Sequence, residues 1–145
     1  MIAEILSIGT ELLMGQITNT DAQYLARRLS EVGVTLHHQT TVGDNPARML
    51  EAMQTALTRA DVIITTGGLG PTADDITKEL SAQALGLPME DNPEAEEMVR
   101  SWFSSHHFPM TDNNLRQAAF PKGAQILKND FGTAPGCLVE KEGKA

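Results

Sequence analysis

Short apolar runs alternate with helix-spaced stretches along most of this 145-residue chain. The clearest run covers residues 61–66, where the β-branched segment DVIITT is followed directly by Gly67 and Gly68. A short run that ends on glycine in this way is typical of a buried parallel strand. Runs at residues 2–9 and 34–43 predict two more strands. The alternation favours an α/β fold, a three-layer sandwich in which helices cover both faces of a mostly parallel sheet.

Helical periodicity is clear between these strands. The first predicted helix begins near Asp21 and ends at Gly33, with Leu25, Leu29 and Val32 on one face. The segment that joins it to the first strand is predicted to be a loop. This arrangement supplies the first connection that a parallel sheet requires.

Two further helices are predicted in the first half of the chain. One begins at Pro46 with Asn45 as its cap. Its apolar stripe, at spacings of three and four residues, consists of Leu50, Met53, Leu57 and Ala60. The other is predicted to run from near Asp74 to Gly86.

The half after Pro88 has a looser pattern. A helix is predicted to begin at Asn92 and Pro93 and to carry Met98, Trp102 and Phe103. A short helix follows at residues 113–119. The segments AQILK and CLVEK are predicted to be an antiparallel strand pair, because their connection is too short for a crossover helix.

Length and composition limit the class of protein. A chain of this length is predicted to be one domain. Nineteen acidic against eleven basic residues give a net charge of −8, which argues against a nucleic-acid partner. No apolar run approaches the roughly 20 residues that cross a bilayer, so we expect no membrane span. The single Cys137 and the absence of a signal peptide predict a reducing, cytoplasmic location.

Small and polar residues follow each of the three predicted parallel strands. They are Gly9-Thr10-Glu11, Gly43-Asp44-Asn45 and the glycine-rich stretch from Thr66 to Gly70. Ligands bind outside the carboxyl ends of parallel strands in open α/β sheets. We therefore expect the functional site at these three strand ends.

The glycine-rich segment TTGGLGPTADDIT is the strongest functional signal. Glycines let backbone N–H groups approach phosphate oxygens, and a following helix would add partial positive charge. The residues predicted to bind phosphate are Thr66, Gly67, Gly68, Gly70 and Thr72. The alternative is a turn that only needed glycine. The dinucleotide fingerprint fits weakly because Pro71 removes an N–H, and no Walker loop is present.

Acidic residues beside this segment predict a metal. Asp74 and Asp75 at the predicted helix start would repel a polyphosphate unless Mg²⁺, Mn²⁺ or a similar divalent cation bridged them. Asp44 at the neighbouring strand end could join them. The alternative for each carboxylate is helix capping, which for Asp44 would concern the helix that begins at Pro46. The histidine pairs at 37–38 and 106–107 cannot chelate one ion by themselves, because adjacent side chains diverge.

Four segments carry a resemblance that covers nearly the whole chain. They are SIGTELLMGQITNTDAQYLARRL, VGDN, TTGGLGPTADDIT and NNLRQAAFPKGAQILKNDFGTAPGC. Together, in this order, they resemble the competence-damage-inducible protein family. The glycine-rich segment is also similar to the TGGTG loop of molybdopterin adenylyltransferases. The resemblance implies a molybdopterin-binding-domain-like fold.

The resemblance implies an ADP-ribose pyrophosphatase that releases AMP and ribose 5-phosphate with a Mg, Mn or Co ion. Asp75, Asp74 and Asp44 would then be catalytic and metal-binding. Nucleotide or pocket roles would fall to Thr10, Glu11, Asn19, Asn114, Gly132 and Thr133. The partner would be a small-molecule nucleotide, and self-association as a dimer or trimer is expected from related folds.

Two alternative functions stay open at this point. One is a pterin-binding or adenylyl-transferring domain of molybdenum cofactor synthesis, and the other is a non-catalytic nucleotide-binding regulatory module. The family usually continues beyond the CLVEKEGKA region into another strand and a closing loop, so we expect a chain truncated at its carboxyl terminus. An exposed sheet edge would be the consequence.

Overall fold

A parallel three-stranded sheet, in the order β2-β1-β3, organises the first part of the protein. The computed structural model of the protein describes residues 1–145. The chain forms two compact units, residues 1–68 with 140–145, and residues 69–139. The strands of the first unit are β1 (Ile2–Ile8), β2 (Thr35–Val42) and β3 (Val62–Thr66). Its helices are α1 (Thr10–Leu13), α2 (Thr20–Glu31) and α3 (Pro46–Arg59).

Strand β1 is the core of the first unit. Every residue from Ala3 to Ile8 is buried, and β1 is bonded to a parallel neighbour along each edge. A central strand with both faces covered cannot alternate apolar and polar residues as a half-exposed strand does. The α/β fold with a parallel sheet is therefore confirmed, as are the three predicted strands.

The helices of the first unit differ in detail from the prediction. The segment predicted as a loop contains α1. In α3 the buried row consists of Met49, Met53, Ala56 and the adjoining Ala60, whereas the predicted Leu50 and Leu57 are only half-buried. In α2, Val32 is 68% exposed rather than part of the buried face. The predicted Met53 and Ala60 are thus buried, and the buried face includes Met49 and Ala56 in place of their neighbours Leu50 and Leu57.

The second unit is built from shorter elements. Its helices are α4 (Thr77–Leu85), α5 (Pro93–Ser105) and a 3-10 helix (Asp112–Ala118). Strands β4 (Met89–Asp91) and β5 (Ala119–Pro121) pair antiparallel, as do β6 (Gln125–Leu127) and β7 (Gly136–Leu138). The predicted β6–β7 pair is confirmed, whereas β4 and β5 were not predicted.

The core of the second unit is small. Ala95, Ala118 and Phe120 are buried together, with Ile126 and Cys137 among the partly buried residues packed against them. In α5 the caps and start predicted at Asn92 and Pro93 are confirmed, but the buried residues are Ala95 and Val99. Trp102 and Phe103 are half-buried.

The helix predicted from near Asp74 begins three residues later, at Thr77. Gly86 ends it in the left-handed conformation, with φ of 63°, as predicted. Asp74 and Asp75 therefore stand before the helix. In the whole chain, no helix has both the length and the apolar character needed to cross a bilayer.

Candidate binding site at the carboxyl ends of the strands

Thr10 and Asp44 hold the ends of β1 and β2 together. The amide of Thr10 donates to the Asp44 Oδ2 at 2.8 Å, and the amide of Asp44 donates to the Thr10 Oγ1 at 3.1 Å. The amide of Gly9 also donates to the Val42 carbonyl at 2.9 Å. Asp44 is thus a loop carboxylate with a fixed position, and the sequence-predicted site residues Thr10 and Asp44 do come together.

A buried hydroxyl, that of Ser7, lies near the carboxyl end of β1. Ser7 is 1% exposed, and its Oγ accepts from the Asn19 Nδ2 at 2.8 Å and from the Thr66 Oγ1 at 3.4 Å. The Oδ1 of Asn19 caps α2 by accepting from the Ala22 amide at 3.0 Å. Asn19 therefore joins the start of α2 to β1, which assigns this predicted pocket residue a structural contact.

At the glycine turn after β3, the backbone comes very close to the end of β1. Gly67 and Gly68 have φ values of 90° and 64°, a region that favours glycine. A Cβ at Gly67 would lie 2.1 Å from the Ile8 carbonyl oxygen, so no other residue fits. This contact with β1 explains why the turn needs glycine at position 67.

The charges at these strand ends are all negative. Glu11 and Asp44 are exposed, and no Lys or Arg occurs among residues 9–11, 43–45 and 66–68. This set of groups suits a ligand that presents N–H donors or positive charge. An unescorted polyphosphate would meet repulsion there.

The second unit contains the other half of the glycine-rich segment. The Asp75 Oδ2 accepts from the Thr72 amide at 3.0 Å and from the Thr72 hydroxyl. A Cβ at Gly70 would lie 2.5 Å from the same oxygen. Arg116 donates to the Thr72 carbonyl at 2.8 Å, and Asn113 donates to the Pro71 carbonyl. The conformation of this loop is thus stabilised by hydrogen bonds to Asp75 within the loop and from two residues of the 3-10 helix.

The ionisation of Asp75 reflects these contacts. Partial burial by itself would raise the pKa of Asp75, but the hydrogen bonds from Thr72 and Gly70, together with the charge of Arg116, hold that pKa below its ordinary value. Asp75 is therefore an ionised acceptor inside its own loop. Asp74 beside it is exposed.

These positions change two sequence predictions. Asn45 caps α3 by accepting from the Arg48 amide at 3.1 Å, so the capping alternative for Asp44 is wrong. Asp74 and Asp75 are not at the start of α4, whose cap residue Ile76 has no capping side chain. No group of three or more His, Cys, Asp or Glu side chains is placed to hold a metal ion. The divalent cation stays a prediction that these residues do not by themselves support.

The remaining predicted pocket residues have local partners. Asn114 forms a capping box with Thr111, whose amide donates to the Asn114 Oδ1 at 2.8 Å. Gly132 lies against Asn129, whose Nδ2 would be 3.0 Å from a Cβ there. The hydroxyl of Thr133 accepts from the Gln117 Nε2 at 3.0 Å. Each shapes a loop of the second unit.

Two buried polar residues of the second unit were not predicted. Lys78 is 6% exposed, donates to the Gln117 carbonyl at 2.8 Å and lies 4.2 Å from the centre of the Phe120 ring. Burial lowers the pKa of Lys78 and raises the pKa of the nearby Cys137 thiol. Gln117 is 1% exposed, and its Oε1 has no hydrogen-bond partner. The only feature of the sequence that could have indicated their burial is that each is a polar residue within an apolar pattern.

The chain is similar to proteins of known family. A family model described as a probable molybdopterin binding domain matches residues 4–145. The chain is 50% identical over 144 residues to the “Putative competence-damage inducible protein” of Alkaliphilus metalliredigens. That match covers 99% of this chain and 35% of the relative, so the chain spans about a third of the relative's length. The resemblance found in the sequence is confirmed.

Two solved structures are similar in fold. The protein CinA from Thermoplasma acidophilum has a TM-score of 0.88 at 29% identity, over 99% of this chain and 83% of that one. The molybdopterin biosynthesis Mog protein from Mycobacterium ulcerans has a TM-score of 0.54 at 27% identity, over 70% of this chain and 64% of that one. The predicted molybdopterin-binding-like fold is confirmed.

The predicted ADP-ribose pyrophosphatase activity is wrong in the light of these matches. The matching family is one of probable molybdopterin binding domains, and the Mycobacterium ulcerans protein is a molybdopterin biosynthesis protein. Neither match supports cleavage of a phosphoanhydride. The metal-bound carboxylates on which that reaction depended do not form a cluster. The alternative of a molybdopterin-binding domain is the one that the matches favour.

Proposed function

The chain belongs to the family of probable molybdopterin binding domains, and we propose that its first unit binds a molybdopterin-type ligand at the carboxyl ends of β1, β2 and β3. Such a ligand combines a pterin ring system with a phosphate group. The ring has an aminopyrimidinone edge with adjacent N–H donors. The site therefore needs an acceptor for that edge and backbone N–H groups for the phosphate.

The observation that carries this proposal is the fixed carboxylate of Asp44. A carboxylate is an acceptor with two oxygens, so it can receive both N–H groups of an aminopyrimidinone edge. Asp44 is exposed, and its Oδ2 is held at 2.8 Å from the Thr10 amide. Because the carboxylate is already held in one position, it can accept from the ring edge without a further loss of side-chain entropy on binding.

The glycine turn supports the phosphate half of the ligand. Two successive residues with positive φ, Gly67 and Gly68, turn the backbone at the end of β3. Turns of this kind can gather backbone N–H groups into an anion-binding concavity. One phosphate group carries less charge than a polyphosphate, so the negative strand ends, which offer no Lys or Arg, repel it less.

Other properties remain proposals for the longer proteins in which this domain occurs. Because the chain covers only about a third of its curated relatives, their activity and partners are not assigned to it. Self-association as a dimer or trimer, a divalent cation and a cytoplasmic location stay predictions. A regulatory role without catalysis would use the same ligand site.

A binding titration with a charge-removing variant tests the proposal. The full chain is titrated anaerobically with molybdopterin, and isothermal titration calorimetry gives the dissociation constant. Asp44→Asn keeps an oxygen for the Thr10 amide but loses the charge, and the difference between charged and neutral hydrogen bonds predicts affinity weakened about 5- to 10-fold. Asp21→Asn, an acid-to-amide change in the first turn of α2, is the control and should bind like the wild type.

Two results would contradict the proposal. One is the absence of saturable binding by the wild-type chain. The other is equal affinity for the wild type and Asp44→Asn, since the pterin edge would then lie elsewhere.

A further inference from the structure

We infer that Thr10 is a positioning residue, which holds the carboxylate of Asp44 in place and acts on the ligand only through Asp44. The inference rests on the proposed function and adds the reason why Asp44 is fixed. Thr10 follows β1 and Asp44 follows β2, so the contact joins two strand ends that are 34 residues apart in sequence.

The contact between the two residues runs in both directions. The Thr10 amide donates to the side chain of Asp44, while the Asp44 amide donates to the side chain of Thr10. One residue therefore fixes both the backbone and the carboxylate of Asp44. An exposed aspartate without such partners would sample several rotamers and would lose that freedom on binding.

Gly43, which precedes Asp44 in the chain, lies against Thr10. A Cβ at this position would lie 3.1 Å from the Thr10 Oγ1 and 3.4 Å from the Leu13 Cδ2. Contacts of 3.1 Å are tighter than ordinary packing, so a methyl group there would require the hydroxyl of Thr10 to shift by a few tenths of an ångström from the position in which it accepts from the Asp44 amide. Gly43 is buried. It therefore influences the site through Thr10.

Three variants of the full chain test the inference. Thr10→Ser keeps the hydroxyl and should bind molybdopterin within about twofold of the wild type. Thr10→Val keeps the shape and the backbone amide that donates to the carboxylate, but removes the acceptor for the Asp44 amide. The backbone that carries the carboxylate is then less ordered, and we expect affinity to fall about three- to tenfold, as for ordering one side chain. Gly43→Ala should reproduce the effect of Thr10→Val, although its methyl group meets Thr10 and Leu13 rather than a ligand.

A readout that needs no ligand separates positioning from direct contact. Hydrogen exchange of the Asp44 amide, measured by NMR, should be faster in Thr10→Val and Gly43→Ala than in the wild type and Thr10→Ser. Weaker binding by Thr10→Val with unchanged protection of that amide would overturn the inference, because Thr10 would then contact the ligand itself. Unchanged binding by Thr10→Val would overturn it as well.

The same measurements distinguish this inference from the proposed function. If the wild-type chain does not bind molybdopterin, the proposed function fails, and the role of Thr10 in ligand binding fails with it. The exchange data would still show whether Thr10 fixes Asp44. If the wild type binds and Asp44→Asn weakens binding while Thr10→Val does not, only the positioning role is wrong.

Discussion

Glu4 and Arg59 form a bidentate ion pair in the first unit, in which the carboxylate belongs to a buried residue of β1. The Arg59 Nε and Nη2 donate to the Glu4 oxygens at 2.8 and 2.7 Å, and the Thr40 hydroxyl donates to Glu4 at 2.7 Å. Glu4 is fully buried, whereas the Arg59 side chain is 37% exposed. A buried carboxylate at the centre of the sheet is therefore stable only while these donors are present.

Removing the guanidinium should destabilise the protein. Arg59→Met keeps most of the aliphatic stem but leaves Glu4 buried without its charged partner. Losing one member of a buried pair costs about 3–5 kcal/mol, and the partial exposure of Arg59 reduces our expectation to about 2 kcal/mol. Urea unfolding measures this loss. Arg100→Met, which breaks an exposed pair with Glu96, is the control and should cost about 0.5 kcal/mol or less. Equal losses in the two variants would contradict the prediction.

The same pair should make stability depend on acid pH. The hydrogen bond from Arg59, followed by that from Thr40, holds the pKa of Glu4 below its ordinary value of 4.5, in spite of its burial. A lowered carboxyl pKa in the folded state adds stability above that ordinary value, and this part is lost as the pH falls through the folded pKa. Urea midpoints below pH 4.5 should therefore fall less steeply for Glu4→Gln than for the wild type. Parallel curves would show that Glu4 does not contribute to the acid transition.

Gly67→Ala should lower the free energy of unfolding far more than Gly→Ala at another position with positive φ. The new Cβ would meet the Ile8 carbonyl oxygen at 2.1 Å, and the backbone at Gly67 has φ of 90°. Gly15 has φ of 69° but nothing within 4 Å of its would-be Cβ, so Gly15→Ala carries only the conformational cost of about 1 kcal/mol. Thermal unfolding should place Gly67→Ala at least about 2 kcal/mol below that control. Similar stabilities would mean that β1 and the turn separate easily.

Asp75→Ala should loosen its own loop more than the whole protein. The carboxylate accepts from the amide and the hydroxyl of Thr72, so its removal leaves that amide without its partner. We expect faster hydrogen exchange at the Thr72 amide and a loss of about 1 kcal/mol in the free energy of unfolding. Asp74→Ala is the control, since Asp74 is exposed, and its Thr72 exchange should match the wild type. Unchanged exchange in Asp75→Ala would argue that Asp75 is free for another role.

Most of the elements that depend on near neighbours in sequence were predicted correctly, whereas β4 and β5, which pair with each other from remote parts of the sequence, were not. The strand at residues 61–66 and the caps Asn45 and Asn92 were predictable because each depends on near neighbours in sequence. The start of α4 was placed too early because Asp75 resembles a helix cap, whereas its partner is Thr72 in the preceding loop. The inferred reaction failed for a related reason, since a resemblance in sequence does not specify the ligand of a site.

The sequence by itself determined the parallel α/β architecture, the position of the glycine turn and the grouping of polar residues at the strand ends, because hydrophobic period and turn chemistry are local properties. Only the tertiary structure decided that Asp44 faces Thr10, that Glu4 is paired with Arg59 and that Gly67 lies against Ile8. These contacts join residues 34 to 59 positions apart. The register of neighbouring strands sets the first and the third, whereas the second joins β1 to the end of α3. Strand register depends on packing across the whole sheet, which no short stretch of sequence encodes.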